Sequence, residues 1–431
     1  MRKLPLHWQI LIAIVAGVAA GWLSGDEGSF AGVHFYGVYD FVGTLFINAL
    51  KMLIVPLIMS SIIVGVAGLG SSGSLGRLGG KTLLFYGITT LLATMVGLVL
   101  VNIVQPGLVD GQPAKDLLAL EKSTSAVAAN VGEGGSAAQL VDLFLSMVPP
   151  NIVSAAAEGQ MLGLIFFSIV FGYFITRVGG EHADILYRFW DALFAVMMRV
   201  TEWVMAFAPI GVFGLVARTV AKTGFDAAQP LVVFSLVVLA ALGVHALLVI
   251  PALLKFVGKV NPVAMYRAVA PALLTAFSTA SSSATLPVTM DCVERRAGVS
   301  NRVSSFVLPL GATVNMNGTA LYECVAAIFI AQAYGLELSF VTQFVVVTTA
   351  IVTSVGVAGI PSASLVAIAI ILSAVGLPVE AVGVLFVFDR VLDMARTAIN
   401  ILGDTACAVI IARLEGQEDI LVRDAPAAAG A

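Results

Sequence analysis

The stretch Phe388-Asp389-Arg390-Val391-Leu392-Asp393-Met394-Ala395-Arg396-Thr397-Ala398-Ile399-Asn400-Ile401-Leu402-Gly403-Asp404 is embedded in an otherwise apolar run from Val379 to Ala412. At about 100° per residue, Asp389, Asp393, Arg396, Thr397, Asn400 and Asp404 fall within one stripe roughly 100° wide. The remaining surface of that helix is mostly Ile, Leu, Val and Ala. A charge at mid-bilayer costs about 2.5 to 3.5 kcal/mol on insertion scales, so a polar seam on a membrane helix needs something to face it.

The surrounding chain sets the medium. Of 431 residues, 59% are hydrophobic and 11% charged, and the mean hydropathy is +1.01. No ordinary soluble domain has that balance. Several apolar runs reach the ~20 residues needed to cross ~30 Å of hydrocarbon, which predicts an all-α polytopic membrane protein. The net charge of −4 is small and dispersed, leaving a nucleic-acid partner nothing to bind. Cys292, Cys324 and Cys407 make no metal-ligand or redox spacing and read as small packing residues. The N-terminal run from Leu11 to Trp22 reads as a retained first spanning helix rather than a cleaved signal, because a second long apolar run follows it.

Spanning candidates lie at about Trp8–Leu23, Val38–Leu69, Thr82–Ile103, Leu143–Ile175, Trp190–Val220 and Pro230–Phe256. The second and fourth are long enough to be tilted or broken. Residues 106–142, which include Gly132-Glu133-Gly134-Gly135-Ser136, read as an external loop without chemistry. Basic residues recur on alternate loops: Arg2 and Lys3, Arg77 and Lys81, Arg177 and Arg188, Lys255, Lys259 and Arg267, then Arg295, Arg296 and Arg302. The positive-inside rule puts those loops, and with them both termini, in the cytoplasm of a cell (inner or plasma) membrane.

From Ala264 to Ala412 the apolar runs are broken at their middles. Phe277-Ser278-Thr279-Ala280-Ser281-Ser282-Ser283-Ala284-Thr285-Leu286-Pro287 splits one segment and Ser354-Val355-Gly356-Val357-Ala358-Gly359-Ile360-Pro361-Ser362-Ala363-Ser364 another. The halves, about 10 to 15 residues each, are too short to span. Irregular backbone at that depth is tolerated only inside protein or beside a wet cavity, so both read as re-entrant hairpins. Two such interruptions flanking one intact helix suggest an inverted repeat with a substrate site between the tips. Between them, Gly311-Ala312-Thr313-Val314-Asn315-Met316-Asn317-Gly318-Thr319-Ala320-Leu321-Tyr322-Glu323 would place Asn315, Thr319 and Glu323 on one face, with Asn317 about 200° from Asn315. Unwinding at Gly318 would aim both asparagines inward. Freed carbonyls with Asn, Asp and Thr oxygens suit a hard monovalent cation.

With Lys51-Met52-Leu53-Ile54-Val55-Pro56-Leu57, the Ser-Ser-Ser hairpin, the Asn315–Thr319 segment and the final seam, the chain resembles the glutamate transporter family, the dicarboxylate/amino-acid:cation symporters, over nearly its whole length. The resemblance implies eight transmembrane helices and two re-entrant hairpins, assembled as a homotrimer. It implies scaffold helices 1 and 2 over residues 1–81, helix 3 of a transport domain over 82–105, and scaffold helices 4 and 5 over 143–228. The rest of the transport domain follows over 229–414: helix 6, hairpin 1 at about 263–297, helix 7 at about 302–334, hairpin 2 at about 340–375 and helix 8 at about 378–412. Residues 415–431 form a cytoplasmic tail.

Roles carry over by the same resemblance. Arg396 matches the guanidinium that receives the substrate's distal carboxylate, and Asp393 the carboxylate that accepts its amino group. Thr397, Asn400, Ser282, Ile360, Ser364, Met316 and Thr319 complete the substrate contacts. One sodium set comprises Gly311, Asn315, Asn400 and Asp404, and a second Thr313, Ser354, Val355 and Val357. A third comprises Tyr86, Thr89, Thr90, Asn315 and Asn317. Asn317 stands where the family usually has Asp, and the charge thereby removed counts against the third set. Relatives carry an arginine either at the position of Ala280 or at that of Met394, and this chain has neither. Glu323, as in proton-coupled members, leaves proton coupling open.

The expected activity is sodium-coupled symport of aspartate or glutamate into the cell by an elevator-like alternating-access movement, with no enzymatic step. A C4-dicarboxylate or a neutral amino acid is the alternative substrate, the latter leaving Arg396 uncompensated. A serine hydrolase would need a base near Ser282, yet His7, His34, His182 and His245 all precede the hairpins. An aspartyl hydrolase is excluded because Asp393 and Asp404 lie about 16 Å apart along the helix. A dedicated ion channel would not need Arg396 beside Asp393.

Overall fold

A computed structural model describes residues 6–30, 33–70, 76–120, 127, 145, 148–158, 161–224, 228–356 and 363–421. The chain is helical. The helices are α1 (Leu6–Ser24), α2 (Phe35–Gly70), α3 (Gly76–Val104), α4 (Ile152–Glu158), α5 (Met161–Val178), α6 (Gly180–Ala206), α7 (Ala208–Thr223) and α8 (Ala228–Val244), which passes through a π-helical turn (His245–Val249) into α9 (Ile250–Phe256). Then come α10 (Pro262–Thr279), α11 (Ser282–Asp291), α12 (Asn301–Val314), α13 (Asn317–Ala333), α14 (Phe340–Gly356), α15 (Ala363–Ala374), a 3₁₀ segment (Val379–Leu385) and α16 (Phe386–Leu414). Two minimal antiparallel ribbons, Ser29–Phe30 with Val33–His34 and Leu108–Val109 with Gln112–Pro113, decorate the loops.

Among the described residues, four helical stretches are long and apolar enough to cross a membrane: Leu78–Val104, Ala228–Phe256, Asn301–Ala333 and Val379–Leu414. Trp8–Ser24, Phe166–Val178 and Phe340–Ser354 are shorter apolar helices. The chain is therefore a helical membrane protein, as its composition predicts. Burial orders these helices: 94% of the apolar window in Asn301–Ala333 lies inside the protein, against 44% in Leu78–Val104. The first is central and the second faces outward along one side.

Several boundaries differ from the sequence expectation for identifiable reasons. The apolar run Trp190–Val220 is two helices meeting at Phe207, where Pro209 occupies the first turn of α7 and its fixed φ starts a helix rather than continuing one. The polar residues Glu181 to Arg188, expected in a loop, form the first turns of α6. By contrast, α2 runs unbroken past Pro56, and Ser60 hydroxyl donates to the Pro56 carbonyl at 2.7 Å. Within the fourth run the described helices are the short α4 and then α5. The start of the external loop is not simply solvated, since Ala114, Leu118 and Leu120 are buried in the main core and Gly107 N–H donates to Gln332 Oε1 at 3.3 Å. Of the rest of that loop Val127 is described and lies in the same core; residues 121–126 and 128–142, and the tip of the second interruption, residues 357–362, lie outside the described residues.

The first interruption is visible in full. Asn261 caps α10, accepting from Val263 and Ala264 N–H, and the helix ends at Ala280, which takes the left-handed conformation (φ 49°). Ser281 is extended and caps α11 through Ala284 N–H. Ser281 N–H donates to Thr279 Oγ1 at 3.3 Å, and the Thr279 and Thr285 hydroxyls meet at 3.2 Å. Ser and Thr side chains thus satisfy the backbone groups that a helix break orphans.

Candidate substrate and cation site

Every residue of the seam is buried, from Arg396 with no exposed surface to Asp393 at 8%. What faces them is α13 and the break before it. Helix α12 ends at Val314, Asn315 and Met316 leave helical geometry, and α13 restarts at Asn317. The unwinding therefore falls two residues before Gly318, not at it. Gly318 serves close approach instead: a Cβ there would sit 2.7 Å from the Arg396 carbonyl oxygen. Asn400 Oδ1 accepts the Gly318 N–H at 2.8 Å, capping one of the donors that a helix start leaves free.

Arg396 sits at the centre. Its Nη2 donates to Asp389 Oδ1 and to Asp393 Oδ1, both at 3.0 Å, and the guanidinium lies 3.9 Å from the centroid of the Tyr322 ring, within cation–π range. Nε and Nη1 have no partner among the described residues. Asn400 Nδ2 donates to Thr319 Oγ1 at 3.2 Å and to Met316 Sδ at 3.1 Å, joining three of the expected substrate contacts. Thr397 hydroxyl donates to the Asp393 carbonyl at 2.8 Å. Ser282, in the first turn of α11, is buried. Ser364, at the start of α15, is buried with its Oγ unpartnered. Ile360 lies outside the described residues.

One helical turn deeper is a cluster of oxygen donors. Asn315 Nδ2 donates to Asp404 Oδ1 at 2.8 Å, leaving Asn315 Oδ1 unpartnered. Thr90 hydroxyl donates to Asn317 Oδ1 at 2.8 Å. A Cβ on Gly311 would fall 2.4 Å from Asp404 Oδ1 and 2.5 Å from the Tyr86 oxygen, and one on Gly403 2.6 and 2.7 Å from the amide nitrogens of Asn317 and Asn315. Members of two of the expected cation sets, Gly311, Asn315 and Asp404 of one and Tyr86, Thr90, Asn315 and Asn317 of the other, are thus neighbours in one cluster of polar atoms. Thr89 is buried beside them, its hydroxyl donating to the Phe85 carbonyl of its own helix at 2.9 Å. The remaining set is not drawn together by hydrogen bonds among the described residues. Thr313 is exposed with its hydroxyl on the Leu310 carbonyl, and Ser354 hydroxyl donates to the Ile351 carbonyl. The side chain of Val355 and all of Val357 lie outside what is described.

Glu323 is fully buried. Thr353 of α14 donates to its Oε2 at 3.0 Å, and Oε1 is unpartnered. Buried polar atoms without partners cost about 1–3 kcal/mol each, so they are rare. Here Asn315, Asn317, Glu323, Ser364 and Arg396 each carry at least one.

The sequence matches the sodium:dicarboxylate symporter family over residues 6–414. The chain belongs to this family. Among its relatives, the symporter is 36% identical over 418 residues to the proton/sodium-glutamate symport protein of Bacillus caldotenax, covering 97% of this chain and 96% of that one. It is 36% identical over 420 residues to the proton/glutamate-aspartate symporter of Escherichia coli K12, covering 97% and 94%. It is also 37% identical over 441 residues to the human neutral amino acid transporter B(0), covering 93% and 78%.

Three residues of the symporter's polar centre carried no sequence signal. Tyr322 reads as an apolar core position, and only the crossing of α13 over α16 puts its ring against Arg396. Thr353 is one hydroxyl in a Thr-rich helix until it meets Glu323. Arg390 falls at the margin of the seam.

Proposed function

We propose that this symporter carries an acidic amino acid, aspartate or glutamate, into the cell together with sodium, and that Glu323 carries a proton in the same cycle. The observation that carries the reading is Arg396, a fully buried guanidinium with two unpartnered donors beside Asp393. A substrate carboxylate pairs with the guanidinium through its planar fork. Asp393 accepts the ammonium, which distinguishes an amino acid from a plain dicarboxylate. Thr397, Asn400, Thr319, Met316, Ser282 and Ser364, with Ile360, contribute the neighbouring contacts.

Sodium is a co-substrate of the cycle. Asp404, Asn315 and the Gly311 carbonyl, with Asn400, supply hard oxygen donors of the kind it prefers, and Thr313, Ser354, Val355 and Val357 form a second set. Tyr86, Thr90 and Asn317 extend the first. The glutamate symport named for the bacterial relatives supports both the substrate class and the paired ions. A neutral substrate, as named for the human relative, would leave Arg396 without an incoming anion.

The architecture in this reading has eight transmembrane helices and two re-entrant hairpins, α10–α11 and α14–α15, in an inverted repeat. It is a homotrimer in the cell membrane with both termini cytoplasmic. A scaffold of the first, second, fourth and fifth spanning helices holds a transport unit that moves as an elevator. Reconstituted protein should accumulate aspartate under an inward sodium gradient, and Arg396→Ala or Arg396→Cys should abolish that uptake. Undiminished acidic uptake by either variant would discard the assignment. The same vesicles under a pH gradient alone test the proton limb.

A further inference from the structure

None of the roles above uses Arg390. It lies one turn before Asp393 on α16, is only 6% exposed, and its Nη1 donates to Asp393 Oδ2 at 3.4 Å. The other oxygen, Asp393 Oδ1, is held by Arg396 Nη2 at 3.0 Å. One carboxylate is therefore divided between two guanidinium groups, each on its own oxygen.

The division matters because of how Arg396 is occupied. A carboxylate that binds a guanidinium in two-pronged fashion needs two adjacent N–H donors, and both edges that offer a parallel pair include Nη2. That atom is shared between Asp389 and Asp393. An incoming carboxylate must therefore displace one of the two aspartates from Nη2. Asp393 is the one offered a replacement partner, since the substrate's ammonium pairs with it. Once Oδ1 leaves Arg396, the contact through Oδ2 is, among the described residues, the one that still fixes the carboxylate from the protein side.

We propose that Arg390 is a positioning residue that sets substrate specificity: it anchors Asp393 through Oδ2 while Oδ1 passes from Arg396 to the substrate's ammonium. This inference rests on the symport reading above. It also accounts for charge. Asp389, Arg390, Asp393 and Arg396 sum to zero, and so do the ammonium and distal carboxylate that meet them, so that these two groups enter without unbalancing the quartet. Without Arg390 the quartet carries a spare negative charge that works against an acidic substrate.

The test compares wild type with Arg390→Met, which keeps apolar packing, Arg390→Gln and Arg390→Lys, each as monodisperse protein reconstituted at equal amounts. L-Aspartate uptake under a sodium gradient is resolved into KM and maximal rate. The two neutral variants should raise KM about tenfold or more with the maximal rate within about threefold of wild type. Arg390→Lys should recover most of the lost affinity. KM unchanged in both neutral variants, a lysine variant no better than they are, or a loss confined to the maximal rate overturns the inference. Absence of saturable aspartate uptake by the wild-type protein removes the symport reading itself, and this inference with it.

Discussion

Gly403 contributes no side chain, yet two asparagines depend on that. With a Cβ there 2.6 Å from Asn317 Nδ2 and 2.7 Å from Asn315 Nδ2, Gly403→Ala forces both amides off α16. Asn315 cannot retreat without loosening its 2.8 Å contact with Asp404. Overpacking of this kind costs about 1–3 kcal/mol, and 1 kcal/mol already changes an equilibrium about fivefold. The sodium concentration for half-maximal aspartate uptake should therefore rise about fivefold or more in Gly403→Ala, read from a sodium titration of uptake; an unchanged midpoint would separate these asparagines from cation binding. At this scale the sequence was informative wherever periodicity applies: Asp389, Asp393, Arg396, Thr397, Asn400 and Asp404 share a stripe and are all buried. It was silent on partners that come from another helix. Nothing in the spacing of Tyr322 or Thr353 announces Arg396 or Glu323, because helix crossings bring those pairs together.

Among the elements, the first interruption was legible because clustered Ser and Thr side chains can satisfy the backbone groups that a helix break orphans, as they do at Thr279, Ser281 and Thr285. The site of unwinding in Asn315–Gly318 was misplaced by two residues for a definite reason. Gly318 was read for its conformational freedom, whereas its lack of a Cβ is used for contact with the Arg396 backbone. A second element was not legible at all. The segment after α16 folds back across the base of the first hairpin: Glu415 pairs with Lys81 at 2.6 Å, Gln417 Oε1 accepts from Ser300 N–H at 3.2 Å, and Leu421 N–H donates to the Ala297 carbonyl at 2.9 Å. Ile420 is buried in one cluster with Val293, Ala297 and Val299. The sequence there is short and charged, and reads as a tail. Truncating a buried Ile costs about 2–5 kcal/mol, so Ile420→Ala should raise amide hydrogen exchange over residues 293–300 at least tenfold while leaving α13 protected. Exchange unchanged in that window would show that the segment does not brace the hairpin.

In the whole molecule, the helices pack as two groups. α1, α2, α5, α6 and α7 contact one another, and α3, α8, α10, α12, α13 and α16 surround the polar centre. The ion pair of Asp40 with Arg218, 2.6 Å, lies within the first group. An edge-on contact of Phe46 with Phe386, 5.6 Å between centroids, is one of the apolar contacts between them. Composition alone is enough for the helical membrane class, whereas which helix packs against which follows from no pattern in the sequence. Symport further requires that cation and substrate stabilise each other in the protein, because ligands shift an equilibrium only by their differential affinity. The most direct measurement is aspartate binding to the purified protein, titrated from sodium-free to saturating sodium. The account predicts a dissociation constant that falls at least fivefold as sodium rises, the lower end of coupling energies of about 1–3 kcal/mol; a constant that does not change with sodium would contradict it.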